Sequence, residues 1–186
     1  MVIPTIGVLV YFLLIPNTIQ SQQRNYLLGL IFVTTYLIPL LVLILLKTLG
    51  FIKSFQVHTV KERKIPLLLM IVLYYVLGNR LINFTIFEDF GILFCATSFG
   101  LIAVYLFFIF RIKVSLHLLS MGIMTAFFIT ISIKYAISIL PILMICFLLS
   151  GLLASSRLYL KAHSPKEVYL GFFFGLIAQF ATFYLL

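Results

Sequence analysis

Charge is what this chain has least of. Only 9% of its 186 residues are charged, and just four of those are acidic. A soluble domain has about a quarter of its residues charged and about half apolar, whereas 64% of this chain is hydrophobic. Too little polar surface is left to cover a globule in water, which excludes a separate water-soluble domain. Cysteine is nearly as scarce. Cys95 and Cys146 both fall inside apolar runs, and neither has a Cys or His at zinc-ligand spacing, so both read as small buried hydrophobes. Also missing are a low-complexity linker and the alternating pattern of barrel strands. The first apolar run lacks the charged n-region and small-residue cleavage site of a signal peptide.

What the chain does have is a series of apolar runs near the length that crosses the roughly 30 Å of hydrocarbon in a bilayer. They predict spans at about 2–15, 27–46, 65–79, 90–110, 114–133, 135–154 and 168–186. Continuous runs of this kind span as helices, because an open sheet leaves its backbone groups unsatisfied in lipid. The expected fold is all-α: one polytopic membrane domain over residues 1–186, with six full crossings. The short first segment is open between a half-span, a surface helix and the remnant of a longer start. The third is also short, ends at Asn79 and Arg80, and reads as tilted or partly interfacial. Pro39 and Pro141 fall inside predicted spans and are expected to kink them. The stretch from Asn17 to Asn25 reads as the first loop.

The formal charge of +9 does not point to nucleic acid, because the basic residues punctuate the ends of spans. With alternating spans, one side holds Lys47, Lys53, Lys61, Arg63, Lys64, Arg111, Lys113, Arg157, Lys161 and Lys166. The other holds Arg24, Arg80 and Lys134. The positive-inside rule would put the richer side in the cytoplasm. A phosphate site also needs cations and would imitate that bias, so orientation stays open. Glu88 and Asp89 open a span on the poorer side and suit the helix dipole there. His58 reads as a loop residue.

Chemistry gathers on the richer side. Near the C-terminus the chain runs Ser155-Ser156-Arg157, then Lys161-Ala162-His163-Ser164-Pro165-Lys166-Glu167, then Gly171 and Gly175. Earlier, at a span start, it runs Arg111-Ile112-Lys113-Val114-Ser115-Leu116-His117. Ionisable residues at a membrane span are costly and are functional candidates by default.

These residues resemble the type-2 phosphatidic acid phosphatase superfamily. Its last motif is S-R-x5-H-x3-D, followed by a helix that often starts with G-x3-G. Ser156, Arg157, His163, Glu167, Gly171 and Gly175 fit that register, with Glu in place of Asp. Its middle motif, P-S-G-H, is matched by Val114-Ser115-Leu116-His117, which keeps Ser and His. The resemblance covers the C-terminal half, about residues 111–186. The family's first motif, K-x6-R-P, is not found. Arg111 and Lys113 stand nearest its usual place and are the preferred cations, being close in sequence to Ser115. Lys61-Glu62-Arg63-Lys64-Ile65-Pro66, on the same side by parity, is the second candidate.

The resemblance implies a metal-independent and cofactor-free hydrolysis of a lipid phosphate or prenyl pyrophosphate through a phosphohistidine on His163. In it His117 protonates the leaving group, and Arg157, Ser115, Ser156, Lys113 and Arg111 bind the phosphate. The residue types suit that chemistry. Arg157 offers a planar fork to phosphate oxygens. His163 precedes a helix start, which attracts anions. Glu167 can hold the protonated ring nitrogen of His163, as the carboxylate of a catalytic triad does. The compact chain points to a bacterial cytoplasmic membrane.

Plainer readings exist for each feature. Ser164 to Glu167 is also a capping box with proline at the first helical position. Gly171 and Gly175 have the spacing of helix-packing residues, and Arg157 and Lys161 could anchor a span at the headgroups. The competing function is non-enzymatic: a catalytically degenerate relative, or a small transport subunit, that binds anionic lipid.

Overall fold

The computed structural model describes residues 3–15, 19–51, 60–110 and 112–186. Lys53, His58 and Arg111 lie outside them, as does the side chain of Lys61. The described residues form seven helices and no strand. They are α1 (Ile3–Leu14), α2 (Ser21–Thr48), α3 (Val60–Ile82), α4 (Glu88–Phe107), α5 (Leu116–Tyr135), α6 (Leu140–Tyr159) and α7 (Pro165–Leu185). All but α1 are long and apolar enough to cross a bilayer. The fold is therefore that of an integral membrane protein with six candidate spans.

The first segment is a half-length helix packed by one face against the bundle, with Ile6, Leu9 and Leu13 exposed on the other. Its 12 residues reach only about 18 Å at 1.5 Å per residue. Val8 is fully buried, and Gly7 lies against Met124 halfway along α5. Tyr11 meets Phe90 edge-on with ring centroids 4.8 Å apart.

Several boundaries differ from the apolar pattern, each for a local reason. The stretch Ser21 to Asn25 is the start of α2 rather than a loop. Likewise α3 begins at Val60 and carries Glu62, Arg63 and Lys64 in its first turns. Hydropathy marks only the lipid-embedded part of a helix, whereas backbone hydrogen bonding carries the helix on among polar residues. The third span is thus full length, and Pro66 lies inside it. At Pro39 the perturbation is a π-helical turn over Val33–Leu37, as expected where a proline cannot donate to the carbonyl four residues back. The Thr35 hydroxyl there donates to the Ile31 carbonyl and pairs with the Thr5 hydroxyl of α1. Pro141 does not kink a span. It sits in the first turn of α6, where its missing N–H leaves no gap. The break before it is made by Ala136, in the left-handed region at φ 50°, while Ile137 N–H closes on the Ser132 carbonyl at 3.2 Å. This is a Schellman ending.

At the centre of the bundle, α5 packs against α7, α6, α4 and α1, most extensively against α7. Glycine sets how close that pair can come. A methyl group at Gly175 would overlap the Leu119 carbonyl oxygen, and one at Gly122 would overlap the Phe172 carbonyl. At Gly171 it would lie 2.6 Å from the Ser115 carbonyl. The G-x3-G pair is thus a packing device that seats α7 on the first turns of α5. By alternation, the starts of α3, α5 and α7 and the ends of α4 and α6 share one face.

Candidate active site

Two tight connections build the site on that face. One follows α6, whose last turn holds Arg157. Lys161 takes the left-handed conformation at φ 50°. The Ala162 N–H then returns to the Arg157 carbonyl at 3.1 Å, and the Lys161 N–H to Leu158 at 3.0 Å. This Schellman ending reverses the chain within a few residues, so His163 follows Arg157 closely in space. The other connection is between helix starts. Ser115 N–H donates to the Glu167 carbonyl at 3.2 Å, which pins the beginning of α5 to the first turn of α7 and carries His117 with it.

His163 is almost sealed, with 7% of its side chain exposed. Its Nδ1 lies 2.9 Å from Glu167 Oε2, so with the proton on Nδ1 the ring donates to the carboxylate and leaves Nε2 unblocked. The same oxygen accepts the Ser164 N–H at 3.2 Å, and Ser164 Oγ accepts the Glu167 N–H at 3.4 Å. The capping box and the histidine-orienting carboxylate are therefore one arrangement. The helix cap holds Glu167 in the rotamer that meets His163.

His117 is half-buried and lies within the electrostatic field of Arg157, His163 and Arg63. Arg63, half-buried at the start of α3, in turn feels Glu167. Four helices and their caps thus contribute to one polar cluster: Arg63 from α3, Ser115 and His117 from the N-cap and first turn of α5, Arg157 from α6, and His163 just before α7 with Glu167 in its first turn.

Two polar atoms in this cluster have no partner. Ser115 is fully buried at the N-cap of α5, yet its Oγ neither caps the helix nor meets any other group. Arg157 Nε is buried and unpaired as well. Unsatisfied buried polar groups are rare and call for an explanation. A hydroxyl and a guanidinium N–H are the donors that a phosphate oxygen would accept. The free N–H groups of the α5 start favour an anion too.

Other expected residues are less engaged. Ser156 is exposed and makes no side-chain hydrogen bond. Lys113 is half-buried in the extended stretch before α5, with no hydrogen bond or ion pair. Arg111 is outside the described residues. Lys64, Lys161 and Lys166 are exposed. The preferred cations, Arg111 and Lys113, rest on nearness in sequence, and the structure adds Arg63 of the second candidate stretch, whose charge reaches His117 from the distant α3. The signal for it was available, since parity already put Arg63 on this face.

At the other end of the same helices Lys134 joins two carboxylates. Its Nζ lies 2.8 Å from Asp89 Oδ1 and 3.4 Å from Glu88 Oε1, and the Tyr135 hydroxyl donates to Asp89 Oδ2 at 2.7 Å. These bonds tie the start of α4 to the end of α5.

Comparison of the chain with family models, with curated proteins and with solved structures finds no match.

Proposed function

We propose that this chain is a membrane phosphatase that hydrolyses a lipid phosphate or prenyl pyrophosphate, with bacterial cytoplasmic membrane as its setting. The observation that carries the reading is the cluster's unspent donors, Ser115 Oγ and Arg157 Nε, beside a histidine whose Nε2 is free and whose Nδ1 is held by a carboxylate.

Arg157, Arg63 and Ser115 hold the phosphate oxygens, neutralising charge that builds in the transition state. Nε2 of His163 attacks phosphorus, forming a P–N bond as the P–O bond to the leaving group breaks. Glu167 stabilises the positive charge that the ring acquires. His117 gives its proton to the departing oxygen. It then takes one from the water that attacks the phosphohistidine, and inorganic phosphate leaves as the P–N bond breaks.

The test is phosphate release by the purified protein from a panel of lipid phosphates and prenyl pyrophosphates, with a chelator present. Release from at least one member, lost in Glu167→Gln while that variant keeps its thermal stability, is the expected result. Binding of anionic lipid with no release from any member would make the chain a degenerate binder and end the enzyme reading.

A further inference from the structure

Lys161 stands where its own side chain works against the fold. In the Schellman ending of α6 it is the left-handed residue, with φ at 50°, where a Cβ crowds the backbone and glycine is the usual occupant. Ala136 meets the same backbone requirement at the end of α5, so the turn by itself does not call for a lysine. The negative end of α6 attracts a cation, but Arg157 in its last turn already supplies one. What Lys161 adds is a second ammonium-type charge, exposed and without a hydrogen bond or ion pair among the described residues. Lys166 is also set against local preference. It is the second residue of α7, at the end of the helix whose partial charge is positive, and it too is exposed and unpaired.

These two lysines flank His163, two residues before it and three after. A chain extends by at most about 3.6 Å per residue, so the Cα atoms of Lys161 and His163 lie within roughly 7 Å of each other. The lysine side chain is long and flexible, whereas His163 is almost sealed. Lys161 therefore belongs to the rim of the cluster and not to its interior.

The interior is already balanced for one phosphate group. Arg63 and Arg157 face the single carboxylate of Glu167, and the free N–H groups of the α5 start add partial positive charge. Together these suit the about 1.5–2 negative charges of one phosphate group at neutral pH. The charges of Lys161 and Lys166 are additional to that balance. An anion that they bind is thus a different part of the ligand from the group that His163 touches. We infer that Lys161 determines specificity, its ammonium and that of Lys166 holding a second phosphate group beside the one in the cluster. A diphosphate would fill both places at once. The inference rests on the phosphatase reading only in taking the cluster as a phosphate site; what it predicts is binding.

The full chain, purified in detergent with a chelator at fixed ionic strength, would be unfolded thermally against rising inorganic phosphate or inorganic pyrophosphate. A ligand of the folded state raises the midpoint in a saturable way that gives its affinity. The parent is expected to bind pyrophosphate more tightly than phosphate. Lys161→Gly should be at least as stable as the parent without anion, since its left-handed backbone carries no Cβ. It should nevertheless bind pyrophosphate about ten-fold more weakly, the low end for a hydrogen bond to a charged group, with phosphate affected less. Lys161→Arg keeps the charge and should keep the preference. An unchanged pyrophosphate affinity in Lys161→Gly, an equal loss in Lys161→Arg, or binding of neither anion by the parent would overturn the assignment. A preference that Lys161→Gly loses, in a parent that releases no phosphate from any lipid, would support the subsite and end the phosphatase reading. Phosphate release without that preference would do the reverse.

Discussion

The two ends of the α5–α7 pair carry polar clusters of opposite sign and opposite completeness. At the end where these helices adjoin His163, the cations Arg63 and Arg157 from two helices act on the histidines, with the carboxylate Glu167 set among them. Ser115 Oγ and Arg157 Nε are unspent there. At the far end two carboxylates meet one lysine, and Asp89 has both oxygens engaged. One cluster leaves buried donors unspent, and the other pairs its buried carboxylate on both oxygens. A chain with so few charges does not scatter them. In lipid each ionisable group must find a partner or a ligand, and the two ends differ in how far their polar atoms are already paired.

The sharpest way to break this contrast is to remove one histidine at a time. His163→Ala should abolish phosphate release, since no other side chain in the cluster is set up to form the covalent intermediate. His117→Ala should slow release by about 10²–10⁴-fold, the usual worth of a general acid–base group. The loss should be greatest for substrates with an alkoxide leaving group and least for pyrophosphates. Asp89→Asn, at the other end, should lower thermal stability and leave turnover per folded molecule unchanged. Equal losses of turnover in His117→Ala and Asp89→Asn would show that the two ends are not functionally distinct.

A smaller effect decides which cation completes the phosphate site. Hydrogen bonds to charged groups are worth about 1.5–3 kcal/mol, so Arg63→Ala should weaken inhibition by inorganic phosphate about 10- to 100-fold. Lys113→Ala should weaken it less. The reverse order would restore the cation that stands nearest Ser115 in sequence.

The smallest effect concerns the packing that holds both ends in register. Gly175→Ala forces a methyl group onto the Leu119 carbonyl, a backbone atom that cannot rotate away. Overpacking of this kind costs about 1–3 kcal/mol. Gly151 on α6 has open space around it, and Gly151→Ala should be neutral or stabilising by up to about 1 kcal/mol, the helix-propensity difference. Thermal unfolding of both variants measures the pair. Comparable destabilisation by both would mean that the close α5–α7 approach is not what the glycines serve.

Much of this was legible from residue order. Apolar run length requires six crossings because the bilayer's thickness is fixed and each crossing must satisfy its own backbone. Span parity put Arg63, Ser115, His117, Arg157 and His163 on one face, and the i,i+4 spacing of His163 and Glu167 put both on the same side of one turn. Less could be read at the helix ends. The polar first turns of α2 and α3 carry no hydropathy signal, and the stop at Ala136 depends on a left-handed residue that is not glycine.

Only the tertiary structure decided which residues of the shared face meet. Parity assigns a side of the membrane, but the lateral order of helices is set by which surfaces fit, and here by glycines that let α7 sit on the α5 backbone. That fit draws Arg63 to the cluster from a helix far off in sequence and leaves Ser156 facing outward. It also buries Gln179 opposite Asp89. Gln179 does not stand out in the sequence, because a side chain's unpaired atoms become visible only once its neighbours in space are known.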